Sequence, residues 1–246
     1  MLTTVINIAN LNIKVIHSYP YFKDFSKKYL TDSLLVDFTV SVDQNDIIFE
    51  RSKCIEESKY ENLPYQDFPD EYLETTAIYR KIAQVLPKYN AIIFHGSAVA
   101  VENKAYIFTA KSGTGKTTHT LLWLKNIKNS FVVNGDKPII RIFDDGIKVC
   151  GTPWCGKENL GANVQVPLSG ICILNRGETN TIEKITFNDA ISILISQTYC
   201  SPDTEVLTKT LKTLEKITNN VTLYKLYCNM EDDASLVAFK EMSQTN

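Results

Sequence analysis

Between Phe108 and Thr120 the chain reads FTAKSGTGKTTHT, and the run from Ser112 to Thr118 carries its clearest chemistry. Gly113 and Gly115 permit backbone conformations and close approaches that a side chain would block. Several amide N–H groups can then converge on an anion at the positive end of the helix that follows. Lys116 adds a full charge for the β- and γ-phosphates of a nucleotide, and Thr117 offers a hydroxyl to Mg²⁺. Ser112, Thr114 and Thr118 complete the cradle. The pattern G-x-x-x-x-G-K-[ST] is broken only at its first position, where Ala110 stands; that is tolerable if the backbone there needs no positive φ. A glycine-containing turn that merely caps a helix is the alternative. Strand, S-G-T-G-K-T-T and helix in this order point instead to phosphate binding.

Chemistry on a bound nucleotide also needs a carboxylate at the end of a neighbouring strand. Asp136 in SFVVNGDKP follows a short apolar strand; Asp144 and Asp145 in IIRIFDDGIKV follow a longer one. D-G between two alternating apolar runs is a hairpin signal, so the second pair reads as a solvated turn and Asp136 as the site acid. His95 precedes the hairpin that leads to the loop. It is either a structural histidine beside AIIF or an imidazole folded back toward the phosphates. His119 reads as structural. The segment Cys150–Pro167, CGTPWCGKENLGANVQVP, reads as a substrate-facing loop with Lys157, Glu158 and Asn163 as candidate contacts; a long surface connection packed over Trp154 is the alternative. Cys155 lacks a His–acid pair nearby and reads as an inert thiol. Arg176, at a strand end, can reach phosphate or pair with Glu178.

The elements that must position these groups alternate strand and helix. TVINIANLNIKVI and LLVDFTVSV (Leu34–Val42) alternate at period two and read as half-buried strands. The polar stretch from Lys53 to Pro69 reads as a loop, and DEYLETTAIYRKIAQVLPKY as an amphipathic helix with acids at its start. Then come strand SAVAV, a turn at ENK, strand AYIFTA, the glycine loop and a helix from Thr117 to about Asn126. FVV, IIRIF, IKVCG and SGICIL read as further strands, with helices near 187–198, 203–217 and 231–242. The expectation is a mixed α/β domain over residues 91–246, with strands and a helix in 1–90 extending the same core.

The chain has 246 residues, 44% hydrophobic and 22% charged, with a net charge of −2, the composition of an ordinary globular protein with no basic face for nucleic acid. The N-terminus lacks the features of a signal peptide, and no run approaches the roughly 20 apolar residues of a membrane span. Six scattered Cys without a C-x-x-C pair fit buried free thiols in a reducing cytoplasm. A cytoplasmic protein with no membrane or nucleic-acid partner is therefore expected.

Taken together, His95-Gly96, the hairpin, Ser112 to Thr117 and Asn134-Gly135-Asp136 resemble the HPr kinase/phosphorylase and phosphoenolpyruvate carboxykinase superfamily over roughly residues 90–180. The resemblance implies a mixed sheet with a P-loop and Mg²⁺-dependent phosphoryl transfer from ATP. His95 would assist phosphate binding, Lys116 and Thr117 would hold nucleotide and metal, and Asp136 would serve as metal ligand and catalytic group. The family carries an Asp-Asp pair where this chain has Gly135-Asp136. Either Asp136 serves both metal and hydroxyl, or another carboxylate such as Glu158 substitutes. The chain also lacks the stretch by which HPr kinases engage HPr, and it shows no oxaloacetate site. The resemblance is thus to kinase-like members acting on a serine of a protein, a small peptide or free serine. A nucleotide-binding sensor or assembly protein without catalysis is the alternative, a carboxykinase-type enzyme a more distant one. The identity of the acceptor, the choice of ATP over GTP or pyrophosphate, and self-association into a homo-oligomer are left open.

Overall fold

The computed structural model describes residues 1–60, 62, 64–111 and 113–244; Ser112 therefore lies outside the described residues. The chain divides into two compact units, Met1–Val85 and Leu86–Asn246.

In the first unit, β1 (Leu2–Ile8) and β2 (Leu11–His17) form an antiparallel hairpin. Its two turn residues, Ala9 and Asn10, both have positive φ, which matches the right-handed twist of the strands. Helix α1 (Tyr21–Phe25) follows, and β3 (Phe38–Ser41) returns parallel to β2. Pairing begins only at Phe38, so the strand expected over Leu34–Val42 is shorter: Leu34 is 98% and Leu35 81% exposed, with no neighbouring strand to cover them. The region expected to be a loop from Lys53 is the second half of α2 (Gln44–Tyr60). Only Ile47 and Glu50 of this helix are buried, so its sequence carries almost no apolar periodicity. It is tied instead to α3 (Asp70–Val85) by ion pairs, Arg80 with Asp46 (2.9 Å) and Glu50, and Lys81 with Asp46 (2.5 Å). These strands, expected to extend the core, form a three-stranded sheet of their own.

The second unit is built on a nine-stranded mixed sheet. Strand β4 (Ala91–Ile93) leads into the hairpin of β5 (Ser97–Val101) and β6 (Lys104–Thr109), turned by Glu102 and Asn103 at positive φ. Helix α4 (Lys116–Asn126) connects β6 to β7 (Phe131–Asn134), which pairs with the far side of β5. Strands β8 (Ile139–Phe143) and β9 (Gly146–Cys150) form the hairpin that Asp144 and Asp145 turn, as the D-G signal predicts. The 12-residue β10 (Gln165–Arg176) is the hub. Its first residues pair antiparallel with β9, and its remainder lies parallel to β6 on one side. On the other side runs β12 (Thr222–Cys228), edged by β11 (Thr181–Lys184). Helices α5 (Phe187–Gln197), α6 (Thr204–Thr218) and α7 (Asp233–Ser243) complete the unit.

Strand alternation explains how this sheet is covered on both faces. Ile107, Ile171 and Ile173 pack in one core cluster with Leu194 of α5 and Leu214 and Ile217 of α6. Phe108, Cys172 and Leu174 belong to the other, with Trp123 of α4 and Ala238 and Met242 of α7. Because β6 and β10 are buried on both faces, their relative height is firmly held. The loops leaving their C-terminal ends are placed by that register.

Candidate functional site

The site grows from the C-terminal ends of β6, β7 and β10, where ligands collect in open α/β sheets. Thr109 ends β6, and the glycine loop runs from Ala110 to the start of α4. Gly113 (φ 73°) and Gly115 (φ 115°) both adopt left-handed backbone, and a Cβ at either would meet nothing within 4 Å. Conformation, not space, demands glycine at these two positions. Ala110 has no positive φ and is fully buried in the cluster of Phe108 and Trp123, which explains why the first glycine of the motif is dispensable. Gly115 sits at the N-cap of α4, and among the described residues no side chain caps that terminus. The helix thus presents unsatisfied amides and its positive dipole end.

Lys116 opens α4, and its Nζ rests 3.2 Å from the Ala110 carbonyl, spanning the loop. Burial lowers its pKa, and the nearby charge of Asp136 works in the opposite direction. Thr117 is exposed and Thr118 partly so. Below them the helix is anchored: the Thr120 hydroxyl lies 2.9 Å from the Lys116 carbonyl and 2.7 Å from Ser97 Oγ. His119 is buried as expected of a structural residue, with Nε2 accepting from the Trp123 indole at 3.1 Å.

Asp136 follows β7, and His95 precedes β5. The β5–β7 pairing brings them together: His95 Nε2 lies 3.2 Å from Asp136 Oδ1, and the Gly96 N–H donates to the Asp136 carbonyl at 2.9 Å. His95 is held at both backbone ends, its N–H donating to Gln197 and its carbonyl accepting from the Thr109 hydroxyl. The other Asp136 oxygen takes Lys137 Nζ at 2.9 Å. Burial alone would raise the Asp136 pKa. The His95 hydrogen bond and Lys137 outweigh it and hold the carboxyl well below the usual range. Asp136 is therefore a carboxylate at neutral pH.

Asn134 sets the turn that aims this carboxylate. Its buried side chain accepts the N–H groups of Asp136 (2.9 Å) and Lys137 (2.7 Å), and donates to the Thr152 carbonyl and hydroxyl. The Thr152 hydroxyl donates in turn to the Lys137 carbonyl at 2.8 Å. The segment 150–164 is stitched to β7 by the Gly135 N–H to Leu160 and the Ala162 N–H to Val133. A Cβ on Gly135 would lie 2.8 Å from the Cys155 carbonyl oxygen and 3.2 Å from that of Leu160, so a side chain here would force the backbone of that segment to shift.

The segment also brings Glu158 near the acid. Beside Gly156, the point where a Cβ would lie is 3.7 Å from Glu158 Oε2 and 3.9 Å from Asp136 Cγ, so the two carboxyls flank it. Lys157 and Asn163 are exposed on the same segment, Trp154 is buried beneath it, and the Cys155 thiol is buried, donating to Asn159. Arg176 stands apart from them, at the end of β10. Its guanidinium donates to the Gly113 carbonyl at 2.8 Å and bridges to the glycine loop, not to Glu178. The sequence reading missed Lys137 and Thr152. Lys137 had one usable signal, its adjacency to Asp136; Thr152 had none, since its role depends on contacts across the sheet. No model of a known protein family matches this chain, and no curated protein matches it.

Proposed function

We propose that the protein is a Mg²⁺-dependent kinase that transfers the γ-phosphoryl group of ATP to a serine hydroxyl of a protein, small peptide or free serine. The observation that carries this reading is the convergence of His95, Asp136 and Lys116 beside a loop turned by two glycines at left-handed φ. The donor set fits a hard cation: the Thr117 hydroxyl and the Asp136 carboxylate, with Glu158 in reach. Among the described residues no three His, Cys, Asp or Glu side chains form a ready-made metal cage. Magnesium bound mainly through substrate phosphates needs only one or two carboxylates. When bound, it would neutralise charge on the β- and γ-oxygens.

The chain's own groups account for the rest. The loop amides and the α4 terminus bind the phosphates, and Lys116 and His95 lie where they can stabilise charge on the transferred group. Transfer forms a bond between the acceptor oxygen and the γ-phosphorus and breaks the bond to the β–γ bridging oxygen. Asp136 orients the acceptor hydroxyl and receives its proton.

A second reading, a nucleotide-responsive protein without turnover, is favoured by Gly135, where a second acid has no room. The two separate with γ-labelled ATP, Mg²⁺ and a lysate of the native organism, following label into protein, peptide and small-molecule fractions. Label transferred by wild type and lost in Lys116→Ala and Asp136→Asn supports the kinase. Nucleotide binding without transfer supports the responsive protein.

A further inference from the structure

A cavity of about 530 Å³ runs along α5. The helix lines it with Asp189, Ser192, Ile193 and Ser196, a single stripe at i, i+3, i+4, i+7 spacing. That stripe is roughly 10 Å long. Residues Ile173 to Arg176 of β10 line the cavity over a similar length, roughly 10 Å of strand. Ile173, Ile185 and Ile193 give it an apolar floor, and Lys111 and Thr114 of the glycine loop also border it.

One end of the stripe adjoins the proposed site. Gln197, the residue after Ser196, accepts the His95 N–H on its carbonyl at 2.7 Å and donates from Nε2 to Ser196 Oγ at 3.2 Å. A single residue thus joins the Ser196 wall to the histidine that faces Asp136. At the other end, Asp189 lies close enough to Lys225 for their charges to interact, and Lys225 stands beside Ile173 in the β10–β12 pairing. Length, exposure and charge then describe the occupant. About three residues of extended chain fill roughly 10 Å, more than a free amino acid does. Ser192, Ser196, Lys111 and Arg176 are exposed, so a chain can enter and leave along this side. Lys111, Arg176 and Lys225 bring positive charge. The acid on the wall, Asp189, is already engaged in capping α5, where its Oδ2 accepts the N–H (2.9 Å) and hydroxyl (2.6 Å) of Thr186. Positive charge is left in excess, which favours an anionic partner.

Resting on the kinase reading above, we infer that this groove is the acceptor site and that the acceptor is a serine within an acidic peptide segment, not free serine. The serine lies at the Ser196 end, where His95 and Asp136 act on its hydroxyl. Its neighbours lie along α5, with apolar parts on the isoleucines and carboxylates toward Lys111, Arg176 and Lys225. Ser192, Ser196 and Asn175 offer hydrogen bonds to the peptide backbone.

Short peptides with blocked ends test this, each with a central serine flanked by glutamates, alanines or lysines, alongside free L-serine. Transfer is followed with γ-labelled ATP and Mg²⁺, and binding by calorimetry with a non-hydrolysable ATP analogue. The expected kcat/KM for the glutamate peptide exceeds that for the alanine peptide by about tenfold, what two or three exposed ion pairs supply together. It exceeds that for free serine by more. Lys225→Glu should weaken the glutamate peptide and improve the lysine peptide, a gain that a misfolded variant does not show. Ser192→Trp, filling the groove from an exposed position, should raise the peptide KM while the ATP KM stays within twofold. Free serine used as efficiently as the glutamate peptide overturns the inference, as does equal affinity for glutamate and lysine peptides. Lost ATP affinity in Ser192→Trp also overturns it, assigning the groove to the donor. Selective binding of the glutamate peptide, reversed in Lys225→Glu but without transfer of label, supports the groove and overturns the kinase reading alone.

Discussion

Replacing Gly135 asks whether this position has lost an acid or never had space for one. The Gly135 φ lies outside the left-handed region, so Gly135→Ala carries no conformational strain and its cost is purely steric. The new methyl would meet the Cys155 carbonyl oxygen at 2.8 Å and the Leu160 carbonyl oxygen at 3.2 Å. Both are backbone atoms of a segment pinned to β7 by the Gly135 and Ala162 N–H groups, so neither can swing aside as a side-chain tip would. Relief requires the segment to move by about half an ångström, an overpacking strain of roughly 1–3 kcal/mol. For a unit of this size that lowers the melting temperature by roughly 3–10 °C. Gly135→Asp adds a carboxylate against two carbonyl oxygens and is expected to melt lower still, with no gain in phosphoryl transfer. Differential scanning calorimetry of both variants, with the labelled-ATP assay alongside, makes the measurement. A Gly135→Ala protein melting within 1 °C of wild type would refute the steric argument. So would a Gly135→Asp protein that transfers phosphate faster.

Burial lowers the His119 pKa to about 4, against about 6.5 in an unfolded chain. The unfolded state therefore binds more protons between these values, and stability present above pH 6.5 is lost as pH falls toward 4. At pH 5 the loss is about 2 kcal/mol, and urea titrations at pH 7.5 and 5 should show His119→Gln escaping it; equal losses in both proteins would contradict this. Ala110→Gly should cost about 1 kcal/mol through a lost buried methyl and a freer unfolded chain, yet leave ATP affinity within twofold, because Ala110 has ordinary backbone φ. Weakened ATP binding in that variant would mean that the position shapes the phosphate cradle. Asn134→Ala removes the side-chain acceptor of the Asp136 and Lys137 N–H groups and the amide donor to Thr152, a cost of about 3 kcal/mol measurable by denaturant midpoint. A change below about 0.5 kcal/mol would show that water replaces the side chain, within the range of ordinary surface substitutions.

The strands from β5 to β10 and the helices α4 to α7 were legible in the sequence because they are written locally, whereas β11 and β12 were not read. Period-two and period-3.6 apolar patterns name the element, and D-G, E-N and the glycines name its turns. The turn glycines of the loop were legible for the same reason, since left-handed φ at Gly113 and Gly115 is a demand each residue meets by itself. Helix α2 was not legible, because it is held by charged contacts to α3 that leave no apolar stripe. Tertiary structure alone decided the rest of the site. The pairing of β5 with β7 set His95 against Asp136, the packing of 150–164 on β7 closed Gly135 and brought Glu158 near, and β10 carried Arg176 to the loop. Each of these contacts joins residues far apart in the chain. Their positions follow from burying both faces of β6 and β10 under helices, a condition that no local pattern encodes.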